Sequence, residues 1–178
     1  MSHPYPTLAR ETIAASLSGT QVPGPERLKE LSGDDALWTS RSGCFVSIKN
    51  RDGSLRGCIG TFMPTRDTLA EEIMGNAVSA AVRDPRFPPM LARELDNVRI
   101  SVDVLSAPEL VTPGMELAPR VYGVIVSKGG RRGLLLPDLE GVDSVEQQLG
   151  IAAQKAGIRD LAEAEIHRFT VSRYKEDA

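Results

Sequence analysis

"NVRISVDVLS", residues 97–106, alternates without a break: Val98, Ile100, Val102 and Val104 fall on one side, Arg99, Ser101 and Asp103 on the other. A period of two belongs to an extended strand, whose successive side chains leave on opposite faces. One apolar and one polar face describe a strand packed on one side and wet on the other. That is the habit of antiparallel sheets, because parallel sheets are covered by helices on both faces.

The flanking segments supply partners for that strand. Upstream, residues 43–49 and 54–61 read as a hairpin about "NRDG" (50–53), a strong turn signal. With Asp52-Gly53 as a two-residue turn, Cys58 stands opposite Ser47 and Cys44 opposite Thr61, so the two thiols leave on opposite faces and do not bridge. Residues 67–82 form the clearest helix, with Leu69, Ile73, Ala77 and Ala80 at helical spacing, Asp67 or Thr68 as cap and Glu71-Glu72 in its first turn. Prolines 85, 88 and 89 stop it. Residues 7–18 predict another helix. The Gly/Pro-punctuated stretch 19–35, with a helical turn around Glu26–Leu31, is the expected boundary between lobes.

Downstream, "VYGVIVSKGGRRGLLLP" (121–137) predicts a second hairpin with its turn near Lys128–Arg131. "SVEQQLGIAAQKAG" (144–157) predicts a helix with Ser144 and Gln147 as a capping box and Gly157 as its stop. "EIHRFTVSRY" (165–174) reads as one closing strand. Hairpins with helices inserted between them define an α+β fold, a mainly antiparallel sheet with flanking helices.

The 178 residues fit one domain or two small lobes, and 41% apolar with 25% charged residues is a globular composition. No run approaches the roughly 20 apolar residues of a membrane span. "MSHPYPTLAR" lacks a basic start followed by an apolar run, so the expected location is cytoplasmic. A net charge of -3 and 4% aromatic residues weigh against nucleic acid as a partner. Two cysteines are too few for a disulfide framework.

Three stretches carry candidate chemistry. Cys58 follows Arg56, and a nearby cation favours the thiolate. Its glycine neighbours Gly57 and Gly60 would admit a ligand, or would equally accommodate a side chain crossing a tightly packed sheet. A nucleophile also needs a base; His167, on the closing strand, would serve only if that strand pairs near the first hairpin. "DPRFPPM" (84–90) either holds Arg86 out toward a ligand on a stiff, proline-framed backbone, with a cis bond before Pro88 or Pro89 as an option, or pairs Arg86 with Asp84 while Phe87 anchors in the core. "SKGGRRG" (127–133) would offer backbone N–H groups to an anion, or is a solvated hairpin tip. HExxH, CxxC, GxSxG and phosphate-loop patterns are absent from the sequence, and a dedicated metal site is not expected.

Taken together, "LRGCIGTF" (55–62), "DPRFPP" (84–89), "ISVDVLS" (100–106), "KGGRRGLLLP" (128–137) and the closing "SVEQQLGIAAQKAGI" and "RFTVSRY" resemble, in order, the signature segments of the AMMECR family, which includes the prokaryotic AmmeMemoRadiSam system A proteins. The resemblance implies an α+β fold with a larger lobe using both termini and a smaller lobe, here a single domain over residues 5–175. It carries no assigned reaction and leaves any cofactor unknown. It marks Arg56, Gly57, Ile59 and Gly60, and more weakly Asp84 and Arg86, as a candidate binding surface. The expected role is that of an accessory protein binding a small anionic ligand or a Memo-like or radical-SAM partner. The alternatives are an enzyme with Cys58 as catalytic nucleophile or redox thiol and, third, an RNA-binding regulator.

Overall fold

The computed structural model describes residues 3–24, 29–30 and 36–177. The chain forms two compact units, Met1–Val104 with Ser172–Ala178, and Leu105–Val171. The larger unit therefore uses both chain ends, as the family resemblance implies. The lobe boundary does not lie in the 19–35 connector, which falls within the larger unit; it lies at the end of the 98–105 strand and before the last one. The helical turn expected at 26–31 lies largely outside the described residues.

The larger unit contains α1 (Pro4–Ser18), the single turn α2 (Ala36–Thr39), β1 (Cys44–Asn50), β2 (Leu55–Thr61), α3 (Leu69–Val82), a 3-10 helix (Ala92–Asn97), β3 (Val98–Leu105) and β8 (Val171–Lys175). Its sheet has the order β2-β1-β3-β8, with β1 antiparallel to both neighbours. Cys44, Val46 and Ile48 of β1 and Ile100 and Val102 of β3 are at most 1% exposed. They share one core with Leu8 and Ile13 of α1 and with Ile73 and Ala77 of α3. The alternation read at 98–104 holds, with Val104 half-buried. The face expected to be wet is not wholly so: Asp103 is 3% exposed, because Arg173 on β8 donates to both of its oxygens at 2.7 and 2.8 Å.

Capping explains the helix ends. α3 starts at Thr68, whose hydroxyl accepts from the Glu71 N–H while Glu71 returns the bond. Glu72 does more than suit the helix dipole. It is buried, and accepts from the Thr61 and Thr65 hydroxyls (2.6 and 2.8 Å) and the N–H groups of Thr65 and Arg66 (2.7 and 2.9 Å), tying the 61–66 segment to the helix. α1 begins three residues earlier than its apolar pattern predicts. His3 accepts from the Tyr5 N–H, Pro4 occupies the first turn, and the His3 ring stacks on Tyr174 of β8 at 4.1 Å.

The smaller unit contains β4 (Glu109–Leu110), β5 (Gly123–Lys128), β6 (Arg131–Leu135), α4 (Val145–Lys155) and β7 (Glu165–Phe169), with sheet order β4-β7-β5-β6. α4 has the predicted Ser144–Gln147 capping box, and Gly157 beyond it takes a φ of 68°. Val124, Val126, Leu135, Ala152, Ala153 and Ile158 form its core. The predicted closing strand 165–174 is two strands: β7 ends at Phe169, β8 starts at Val171, and they belong to different sheets.

Candidate functional site

The hairpin β1–β2 is built with two departures from an ideal turn that cancel. The loop between the paired ends is three residues, Arg51–Gly53, because the Asn50 N–H donates to the Ser54 carbonyl and Gly53 has a φ of 88°. One residue is then absorbed by a bulge: Lys49 pairs with Leu55 and Ile48 with Gly57, leaving Arg56 as the extra residue. Beyond it the predicted register returns, with Ser47 opposite Cys58 and Cys44 opposite Thr61.

The bulge sends Arg56 inward, to 9% exposure. Its Nε donates to Glu94 Oε1 at 2.8 Å, and its Nη2 to Glu94 Oε2 at 3.2 Å and to the Pro88 carbonyl at 3.1 Å. Arg56 and the Leu91 N–H hold the Glu94 carboxyl below the usual carboxylate range. Nη1 of Arg56 is buried without a hydrogen-bond partner among the described residues.

Gly57 and Gly60 face opposite ways, and each makes room for something specific. A Cβ on Gly57 would land on the Ala80 carbonyl oxygen of α3; one on Gly60 would land on the Phe45 ring and the Cys44 carbonyl. Ile59, between them in sequence, packs against the core. The glycines thus answer a packing demand at both positions.

Cys58 is fixed through its backbone. Its N–H donates to Asp84 Oδ2 at 2.9 Å, and its carbonyl accepts from Arg86 Nη2 at 3.1 Å. Asp84, 3% exposed, also accepts from the Arg86 N–H (3.1 Å), Nε (2.9 Å) and Nη2 (2.7 Å). These bonds, those of the Arg86 guanidinium foremost, drive the Asp84 carboxyl far below its ordinary value. The paired reading of "DPRFPPM" therefore holds for Arg86 and Asp84, whereas Phe87 is only half-buried and is not among the core side chains. Arg86 is bound to Asp84, and its side chain is still 54% exposed, with the guanidinium 5.5 Å over the half-buried Phe87 ring. Among the described residues no peptide bond is cis.

The two thiols differ sharply. Cys58 is half-buried, with the Ser47 hydroxyl 3.2 Å from its sulfur, on the sheet face opposite α3. Cys44 is fully buried on the α3 face, where Asn76 Nδ2 reaches its carbonyl and sulfur, and burial pushes the thiol up to about 12. His167 does not meet the condition set for a base: β7 pairs with β4 and β5, where His167 opposes Leu110 and Ile125. Sequence reading missed Glu94 as part of this constellation, and placed Ser47 opposite Cys58 without the hydroxyl–thiol contact. Glu94 carried a faint signal, as the acid three residues after Leu91 in a helical first turn.

Among the described residues no group of three or more His, Cys, Asp or Glu side chains is placed to hold a metal ion, and no helix is long and apolar enough to cross a membrane.

Fold and site together define an α+β protein in which a glycine-bearing bulged strand is clamped to an Asp-Pro-Arg loop. The chain belongs to the AMMECR1 family, whose model matches residues 6–176. A Thermotoga maritima protein is 52% identical over 97% of this chain and 98% of its own length. A Clostridium acetobutylicum protein is 45% identical over 97% of this chain but only 36% of its own length, so this chain spans about a third of that relative. The crystal structure of an uncharacterised protein from Pyrococcus horikoshii superposes with a TM-score of 0.76 at 29% identity, covering 96% of this chain and 89% of that one.

Proposed function

We propose that residues 5–175 act as a single domain of an accessory binding protein, whose working surface is the clamp of Arg56–Gly60 with Asp84 and Arg86. The observation that carries this reading is Arg86. Its guanidinium is oriented by Asp84 and the Cys58 carbonyl while the side chain as a whole remains 54% exposed, which is how a cation is preorganised for an anionic group. Arg56 supports the surface from beneath through Glu94. The ligand is a small anion or a carboxylate of a partner, with Memo-like and radical-SAM proteins as the partner class. A relative that carries this unit within a much longer chain is consistent with a working life beside other domains.

Co-purification with Memo-like and radical-SAM proteins, and titration with small carboxylates, test this reading. Arg86→Lys keeps a cation beside Asp84 but loses the planar fork, and should weaken binding about tenfold while the melting temperature moves by only a few degrees. Binding that is unchanged, or that falls only in step with unfolding, would make Arg86 part of the scaffold.

The half-exposed thiol of Cys58 favours a second reading, an enzyme with Cys58 as nucleophile or redox thiol. It requires iodoacetamide to alkylate the folded protein at Cys58 faster than it alkylates free cysteine. Protection until unfolding would end that reading. An RNA-binding regulator, the third, would need salt-dependent RNA binding by a chain of net charge -3.

A further inference from the structure

The hairpin β5–β6 turns through Gly129 and Gly130, with φ of 57° and 79°, which sets Lys128 directly opposite Arg131. Like charges opposed across a strand pair destabilise it. Beside that tip, next to the end of α4, is an open cavity of about 1050 Å³, whose lining includes Lys128, Arg131, Gly150, Gln154, Arg159 and Asp160. Three cations face one carboxylate there, in a chain whose net charge is -3.

The basic groups are not all spent on the fold. Lys128 is: its ammonium donates to the carbonyls of Asp160 (3.1 Å) and Ala162 and lies 3.6 Å from the Asp160 carboxylate. That carboxylate also accepts from the Ala162 N–H at 2.9 Å. Among the described residues Arg131 commits only Nη1, to the Gly157 carbonyl at 2.7 Å. Arg159 makes no hydrogen bond or ion pair with any described residue.

Gly150 adds a second, independent observation. It lies in the middle of α4, where glycine costs about 1 kcal/mol relative to alanine. Gly57 and Gly133 each have a helix carbonyl in the way of a side chain, but a Cβ on Gly150 would meet nothing within 4 Å. No packing demand accounts for this glycine, and it lines the cavity. Opposed like charges, a free arginine and an unforced helix glycine converge on one place.

We propose that this cavity binds a phosphorylated small molecule. Arg159 and the uncommitted edge of Arg131 take the phosphate through the planar N–H forks that suit phosphate oxygens, and the Gln154 amide is at hand for the rest of the ligand. The concave shape and the absence of any aromatic side chain from the lining favour a small ligand over a nucleic-acid strand, which would use stacking platforms. The proposal is independent of the role given to Cys58 and Arg86.

The test uses the full chain at low salt, titrated calorimetrically with inorganic phosphate, pyrophosphate, adenosine diphosphate and a single-stranded RNA oligomer. Saturable binding of pyrophosphate or the diphosphate is expected, weakened about tenfold in Arg159→Ala and lost in Gly150→Leu. Gly150→Leu should melt at or above the wild-type temperature, since leucine is the better helix former and meets no obstacle. Equal affinity for pyrophosphate and the diphosphate would identify the phosphates as the recognised group; tighter diphosphate binding would show that the nucleoside is read as well. The proposal is overturned by the absence of saturable binding to any phosphate probe, by binding unchanged in both variants, or by RNA binding tighter than the diphosphate with a steep salt dependence.

Discussion

Asp84 concentrates more of the candidate site's hydrogen bonding than any other side chain in it, since it holds the Cys58 N–H and three N–H groups of Arg86 at once. Its carboxyl is more acidic in the folded chain than the 3.9 or so of an unfolded aspartate. A depressed folded value stabilises the fold above the unfolded value, and that contribution disappears as pH falls from about 4 through the folded value. Asp84→Asn keeps an acceptor for Cys58 but loses the charge. It should cost about 2 kcal/mol at pH 7, and urea melts at stepped pH should show a shallower acid decline than in the wild type. Cysteine reactivity gives a second check. In the folded protein iodoacetamide should modify Cys58 and leave Cys44 untouched, because the Cys44 thiol is held near 12 by burial; mass mapping of the labelled peptides reads the difference.

At the scale of elements, one device appears in both units: a strand glycine lies against the backbone of the helix that covers its sheet, Gly57 against Ala80 and Gly133 against Ala152. The obstacle in each case is a carbonyl oxygen, which cannot rotate away as a side chain can. Gly57→Ala and Gly133→Ala should therefore each cost about 3 kcal/mol by equilibrium denaturation, despite adding one methyl group. The strands themselves were legible in the sequence because alternation is local, and the helix starts because Thr68–Glu71 and Ser144–Gln147 are local boxes. The bulge at Arg56 was not. A three-residue loop followed by one extra strand residue leaves the same distal register as a two-residue turn, so the pairing of Ser47 with Cys58 was read correctly while the burial of Arg56 was hidden.

For the molecule as a whole, the larger unit depends on the last residues of the chain. β8 supplies Arg173 to the buried Asp103, and Glu176 receives both Arg10, through Nε and Nη2 (2.8 Å), and the Ile100 N–H (2.8 Å). A chain ended at Phe169 should lose the cooperative urea transition of the full chain, because it leaves Asp103 buried and unpaired and an edge strand missing. Val102→Asp, placing a charge at a fully buried position of the same sheet, should be severely destabilising by the same measurement.

The sequence by itself determined the α+β class, both hairpins, the capped helices and the family, since turns, caps and side-chain alternation are encoded within a few residues of each other. It also singled out Cys58 and, more weakly and through the family resemblance, Asp84 and Arg86, without the bonds that join them. Tertiary structure alone decided that the closing segment breaks at Thr170 into strands of two different sheets, that the lobe boundary falls after β3, that Asp103 on the polar face is buried, and that Arg56 turns inward to Glu94. Each of these joins residues far apart in the chain. Which distant strand or side chain closes a contact is set by packing and loop closure across the whole domain, and no local pattern records it.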